Sequence, residues 1–444
     1  MNHKTKKLLS EIISVLNDRY DYAVLRNYDY LPENNLSRDV DILLNPRQLS
    51  KFQKECINLA EINEHKIIYT YWDTQFWTIV FGNTDQISGG ILQLDILVNL
   101  NVLGTIFLEW NEVLSDKIFN GKLYHLSPRD TFLCKFIYCL ALGKGYPEKY
   151  SDIMDNAIKH DRENVDKKLM YLLNDNTANL EYWLKANQKE ILLKGFISSL
   201  LRNPWLQIKA ICIFIWQYSL NIYMQRGLFI TLSGPDGSGK TTLLTKISKY
   251  FSEVNPPIIF HFRPQMIPNL GEAAHRYKLK KDVDKRYEIP HRSKKNGVIE
   301  SNIRLIYYLI DFIVGYYFKI LPLRWKKNII IFDRYIADLI SDSERLSIFL
   351  DCKYLNLVNK FVPQADYNFL IRVNPYDVRN RKQELEVKDI ERIYQNLEFI
   401  SMNKNNYIWI DNSFNPESAA LQILEKIFDR QHILNKSKIE RSET

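Results

Sequence analysis

The stretch LFITLSGPDGSGKTTLLTKISKYF, from Leu228 to Phe251, decides the fold. An apolar strand enters a glycine-rich turn, an amphipathic helix leaves it, and Gly234 to Thr241 satisfies G-x-x-x-x-G-K-[ST] in that context. Each part has a physical task. The glycines let backbone N–H groups converge on phosphate oxygens, and the helix N-terminus adds its dipole. Lys240 reaches the β- and γ-phosphates, and Thr241 offers an oxygen to Mg²⁺. Gly234, Gly237, Ser238, Gly239, Lys240, Thr241 and Thr242 are therefore the candidate ATP-binding residues.

Working outward, four more apolar runs read as buried strands: Ile258–Phe262, Asn328–Phe332, Tyr367–Val373 and Tyr407–Ile410. Helical patterns separate them. Strands alternating with helices predict a parallel sheet covered on both faces, a three-layer α/β domain over residues 227–444. Asp333-Arg334-Tyr335 follows the buried run NIIIF directly. A carboxylate ending a buried strand beside a phosphate loop is what positioning a metal demands.

The segment SGPDGSGKTT (233–242), with Asp333-Arg334-Tyr335 after its strand, resembles the thymidylate kinases. The resemblance covers roughly residues 227–430 and implies a nucleoside-monophosphate-kinase-like fold using ATP and Mg²⁺. It implies that Asp333 lies near the metal and the reacting phosphates, and that Arg334 binds the acceptor phosphate with Tyr335 beside it. It places Asp236 at the acceptor sugar, Arg263 of FHFRP at the acceptor phosphate, and Arg381 and Lys382 in the lid segment. There they would neutralise charge as the γ-phosphoryl moves. Arg379 is equally readable as a solvated helix charge. The long basic stretch 265–300 shows no match to the base-recognition helix of those kinases. The order HFRPQMIPNL, RLIYYLIDFIVGYYFKILP, IIIFDRYIADLISDSERL, RKQEL looks instead like a divergent thymidylate-kinase-like group associated with surface-polysaccharide biosynthesis. The acceptor is then a nucleoside monophosphate or another phosphorylated or glycan-linked molecule. Asp311, inside the apolar helix from Leu305, is either a pocket residue or a buried polar group paired locally.

The first 125 residues read differently. A helix (6–17), a short strand (22–25), a strand (40–44), a helix (46–62), alternating strands within 66–81 and a strand (92–97) predict an α+β domain. From Pro128 to about residue 226 the pattern is helical, an extension and connector. Asp39 and Asp41 in SRDVDILL stand two apart on a strand, which turns both toward one face. Asp95 sits on another strand, in LQLDILV. Three such carboxylates suit Mg²⁺ ions gripping a triphosphate. The stretch VLRNYDYLPENNLSRDVDILL resembles an uncharacterised family of the DxD nucleotidyltransferase superfamily. Over roughly residues 1–200 this implies a second, nucleotidyl-transferring site with Asp39, Asp41 and Asp95 as metal ligands. The usual Gly-Ser turn before DxD is absent; Arg26, Asn27 and Ser37 occupy that region.

Composition sets the outer bounds. The 444 residues are 46% hydrophobic and 25% charged, which excludes disorder, collagen and coiled coil as descriptions of the whole and predicts two or three domains. Net charge is +8, which favours anionic substrates; it is too diffuse to argue nucleic acid. The basic runs are 4–7, 275–286 and 292–295. Five scattered cysteines without metal spacing predict reduced thiols and a cytoplasmic setting. The apolar runs 210–216 and 305–318 fall short of the roughly 20 residues that span a bilayer, so core helices are expected, with shallow membrane docking as the lesser alternative. Oligomeric state is not readable. The favoured function is a phosphotransferase with a nucleotidyltransferase half. The alternatives are a nucleotidyltransferase whose phosphate-loop domain senses ATP, and a non-catalytic ATP-responsive scaffold.

Overall fold

The computed structural model describes residues 1–35, 37, 39–72, 76–224, 226–253, 255–267, 297–402 and 404–441. The basic runs 275–286 and 292–295, most of the stretch 265–300, and Arg38 lie outside them. The chain forms two compact units, Met1–Met224 with Phe428–Thr444, and Gln225–Ile427. The expected division was 1–125, 126–226 and 227–444; contacts group the chain otherwise.

In the first unit the strands are β1 (Tyr22–Val24), β2 (Asp39–Leu44), β3 (Lys66–Trp72), β4 (Phe76–Gly82), β5 (Ile91–Leu97), β6 (Asn99–Val102), β7 (Thr105–Glu109), β8 (Ile118–Phe119) and β9 (Tyr124–His125). Seven of them form one mixed sheet, in the order β3-β4-β5-β2-β1-β9-β8. The hairpin β6–β7 stands apart and was not anticipated. Period-two alternation sorts the residues between two cores. Val40, Ile42 and Leu44 join Leu94, Ile96 and the helices His3–Arg19 and Leu49–Ile62. Leu43 and Leu97 join a second core with Phe132, Phe136, Leu169 and Trp183. Helices Pro128–Ala141, Ser151–Leu173 and Gln188–Arg202 thus cover the sheet's second face, as the extension of the first domain that the sequence pattern led us to expect. The last turns of the helix Pro416–Arg441 belong to this unit too. Asn435 Nδ2 donates to the Ile67 and Ile68 carbonyls at 3.1 and 2.8 Å, and His432 Nδ1 accepts from the Ile67 amide at 3.0 Å. These bonds blunt the open edge at β3.

The second unit has β10 (Phe229–Ser233), β11 (Ile258–His261), β12 (Ile330–Asp333), β13 (Tyr367–Arg372) and β14 (Tyr407–Asp411), all parallel, in the order β11-β12-β10-β13-β14. The five expected strands are all present. Leu232 faces Asp333 in register, so β10 and β12 deliver the phosphate loop and the aspartate to the same edge. That edge is the carboxyl end of the sheet, where α/β folds open their crevice. The helical run starting at Val298 continues to Trp325, 28 residues, long and apolar enough to cross a membrane by length and composition. The apolar run was expected to end at 318. A π-helical turn at Tyr316–Ile320 instead carries the helix past Pro322, which cannot donate to the preceding turn. Asp311 and Arg324 on this run pair inside the unit with Arg263 and Asp366, so one face is built into the unit, while Ile299, Ile303, Ile306 and Phe318 are exposed.

Candidate active site

The loop after β10 turns through Gly237 and Gly239 in the left-handed region, φ 89° and 86°. A side chain at Gly239 would strike Asn412 Nδ2 at 2.4 Å, and one at Gly237 the Val378 carbonyl at 2.9 Å. Glycine is thus required twice, by conformation and by space. The helix Lys240–Phe251 starts with no side-chain cap, which leaves its first amides to the loop. Asn412, after β14, donates to the Ser238 carbonyl at 2.9 Å and fixes the turn from behind.

Lys240 is buried and folds over the loop, its Nζ donating to the Gly234 and Pro235 carbonyls at 2.7 and 2.8 Å. Burial first, and the Arg334 charge second, push its ammonium down to about 8. Asp236 accepts from both Arg334 and Arg345. Burial works against its charge, but Arg334, Lys240 and Arg345 hold the carboxyl below the usual range. Arg334 takes φ 75°, a strained conformation for arginine, and this turns its guanidinium to Asp236, with Asp338 at 3.5 Å. Asp338 also accepts from the Gly234 amide at 3.2 Å. Burial pushes its carboxyl up against the opposing pull of Arg334.

Asp333 ends β12. Its Oδ2 lies 3.6 Å from His261 Nδ1, while its Oδ1 is buried with no hydrogen-bond partner among the described residues. An orphaned buried carboxylate oxygen is costly and calls for a partner such as a cation or its water. The Ser238 hydroxyl is likewise buried and unpartnered among those residues. Thr241 and Thr242 are exposed at the start of the helix. These features fit a phosphate chain with Mg²⁺: a helix start without a side-chain cap, a lysine over the loop, and across from it a carboxylate oxygen without a partner among the described residues.

The other expected residues divide. Arg381 ends the helix Pro375–Arg381 and is exposed; Lys382 follows, with its Cβ 3.3 Å from where a Gly237 side chain would begin. Lys382 pairs with Glu384 at 2.9 Å, and Arg379 with Glu386 at 2.6 Å. Arg263 is 5% exposed, and its guanidinium donates to Asp311 and the Ile267 carbonyl, both at 3.0 Å. Asp311 is thus the locally paired buried group, and Arg263 is committed to it. Tyr335, expected beside the acceptor, points into the core among Phe229, Phe312 and Phe332, with its hydroxyl on the Pro363 carbonyl. It follows Arg334, whose left-handed turn sends the next side chain inward. Asp338, Arg345 and Asn412 were missed. Only Asp338 had a usable signal, four residues past Arg334 on a helix start.

In the first unit Asp41 and Asp95 face each other across β2 and β5, and each of Asp39, Asp41 and Asp95 has an oxygen within 4.8 Å of the others. The strand reading therefore brings the three together. They line a cavity of about 180 Å³ with Arg26, Thr131, Lys135, Tyr138 and Tyr150. Thr78 donates to Asp95 at 2.6 Å, and burial pushes the Asp95 carboxyl up to about 7. Burial also pushes Asp41 up, against the pull of Arg26.

No family model matches the chain. A stretch of 59 residues is 48% identical to the thymidylate kinase of Clostridium novyi, and covers 13% of this chain and 28% of that one. Over 184 residues, 41% of this chain and 81% of the other, it is 23% identical to the probable thymidylate kinase of Staphylothermus marinus. Part of this chain is thymidylate-kinase-like. The solved thymidylate kinase of Ehrlichia chaffeensis matches 46% of this chain and 99% of its own, at 20% identity and TM-score 0.31. That of Candida albicans matches 47% and 94%, at 17% identity and TM-score 0.35. The kinase-like sequence similarity leaves more than half of the chain outside it.

Proposed function

We propose that the second unit transfers the γ-phosphoryl of ATP to a phosphorylated acceptor, a nucleoside monophosphate or a related phosphorylated or glycan-linked molecule, in a cytoplasmic setting. The observation that carries this is Asp333: a carboxylate whose Oδ1 is buried without a hydrogen-bond partner among the described residues, in register beside the phosphate loop. Mg²⁺, when bound, would supply positive charge that offsets the charge developing on the phosphates. Thr241 and Asp333 would hold it. Lys240 exchanges its two loop carbonyls for phosphate oxygens, and this restores the full charge that burial opposes. Lys382, whose Cβ lies beside Gly237, and Arg381 before it would neutralise charge on the transferring group. Arg334, braced by Asp236 and Asp338, presents its remaining donors to the acceptor phosphate.

The test follows the label. With γ-labelled and α-labelled ATP, Mg²⁺ and a panel of nucleoside monophosphates and sugar phosphates, only the γ-label moves to the acceptor, and Lys240→Ala abolishes the transfer. Movement of the α-label alone would make the chain a nucleotidyltransferase. Binding of ATP with neither label moving would make it a scaffold. The cluster of Asp39, Asp41 and Asp95 is the observation on the nucleotidyltransferase side, and Arg26 weighs against it.

A further inference from the structure

The carboxylates of the first unit belong to no step of the proposed phosphotransfer. The superfamily that residues 1–200 resemble implies a divalent cation on them, and the residues present do not fit one. Arg26 Nε donates to Asp41, its Nη2 lies 3.6 Å from Asp39 Oδ2, and its Nη1 donates to the Tyr150 hydroxyl at 3.0 Å. Tyr150 belongs to a distant segment, the short turn Glu148–Tyr150, so the guanidinium is fastened from both sides. Asp95 Oδ1 is taken by Thr78 at 2.6 Å and Gln93 at 3.1 Å, and its Oδ2 by Gln93 at 3.2 Å. Lys135 lines the same cavity, with its ammonium 4.9 Å from the Tyr150 ring. Asp41 is thus hydrogen-bonded to Arg26, Asp39 lies within ion-pair range of it, and Lys135 adds a second positive charge to the same cavity. A magnesium-sized ion needs an octahedral oxygen shell at roughly 2.0–2.1 Å, and to reach Asp41 Oδ2 and Asp39 Oδ2 it would have to displace the guanidinium that is hydrogen-bonded to the first and 3.6 Å from the second.

We propose that Arg26 is the resident cation of this cluster and takes the place of a divalent metal. The first unit is then a metal-free pocket fused to a kinase-like unit.

The experiment titrates Mn²⁺, without nucleotide, into the full chain and follows free Mn²⁺ by electron paramagnetic resonance. Wild type and Asp41→Asn should give superimposable curves. Arg26→Ala should gain one Mn²⁺ bound roughly tenfold or more tighter than any in wild type, and Arg26→Ala with Asp41→Asn should lose it again. A wild-type Mn²⁺ that Asp41→Asn removes overturns the proposal, and so does a folded Arg26→Ala that gains none. Should Arg26→Ala fail to fold, Arg26→Gln replaces it, since it keeps a neutral donor toward Tyr150. The wild-type and Asp41→Asn pair decides the first point without either.

Discussion

Asp333 in the second unit and Asp41 in the first both stand on buried strands near an arginine, and the fold treats their charge in opposite ways. The arginine after Asp333 is turned aside by its left-handed backbone and spends itself on Asp236 and Asp338, which leaves Asp333 Oδ1 buried without a partner among the described residues. The arginine near Asp41 is held on it, with Tyr150 behind. An unpaired buried polar atom costs on the order of 1–3 kcal/mol, a cost a fold tolerates where a ligand completes the set. A paired one marks an arrangement already complete. The same residue types thus give an open site in one unit and a closed one in the other, and the difference lies in which way one arginine is aimed.

Activity should separate the two aspartates first. Asp333→Asn should lower γ-phosphoryl transfer by about 10²–10³-fold, the scale of removing one preorganised electrostatic group. Asp41→Asn should change it by less than about twofold, since Asp41 takes no part in the proposed transfer. Steady-state kinetics with labelled ATP measures both, and equal losses would erase the contrast. Stability should separate the arginines next. Arg26→Ala leaves Asp41 buried and uncompensated, an effect of about 3 kcal/mol in urea denaturation; the two side chains are only 21% and 15% exposed. Replacing both, as Arg26→Met with Asp41→Leu, should recover most of it. Failure to recover would mean that Tyr150, not the ion pair, carries Arg26.

The phosphate loop was legible because its chemistry is local: an eight-residue motif, Gly234 to Thr241, where a strand passes into a helix. Asp333 was legible because a carboxylate interrupts an apolar run. Asp39, Asp41 and Asp95 were legible as one-faced strand positions, and the register of β2 with β5 brings them together. What stayed hidden depends on non-local packing. Nothing near Asn412 in sequence points to a carbonyl 174 positions away. Arg26 reads as a loop residue until Tyr150 is placed, and Tyr335 reads as a site residue until the backbone at Arg334 shows its left-handed turn. The helices from Pro128 onward read as an extension and connector, but which face of the sheet they cover is not visible in their pattern, because their hydrophobic partners lie in distant strands.

The smallest effect is the most diagnostic of how the closed cluster carries its charge. Burial pushes Asp95 up to about 7, from the usual carboxylate value near 4. The folded protein therefore keeps a proton that the unfolded chain releases between those values. Proton binding favours the folded state across that window, so unfolding free energy falls as pH rises from about 4 to about 7 and the penalty is complete above it. Asp95→Asn carries no such proton. It keeps a carbonyl for the Thr78 hydroxyl and presents an amide to Asp41, its partner across the strands. Thermal unfolding of the variant should match wild type near pH 4 and exceed it by on the order of 1–2 kcal/mol at pH 8. A variant that keeps the wild-type slope would move the shared proton to Asp41. Arg26 would then neutralise less of that carboxylate than its hydrogen bond implies, and the contrast with Asp333 would narrow to a difference of degree.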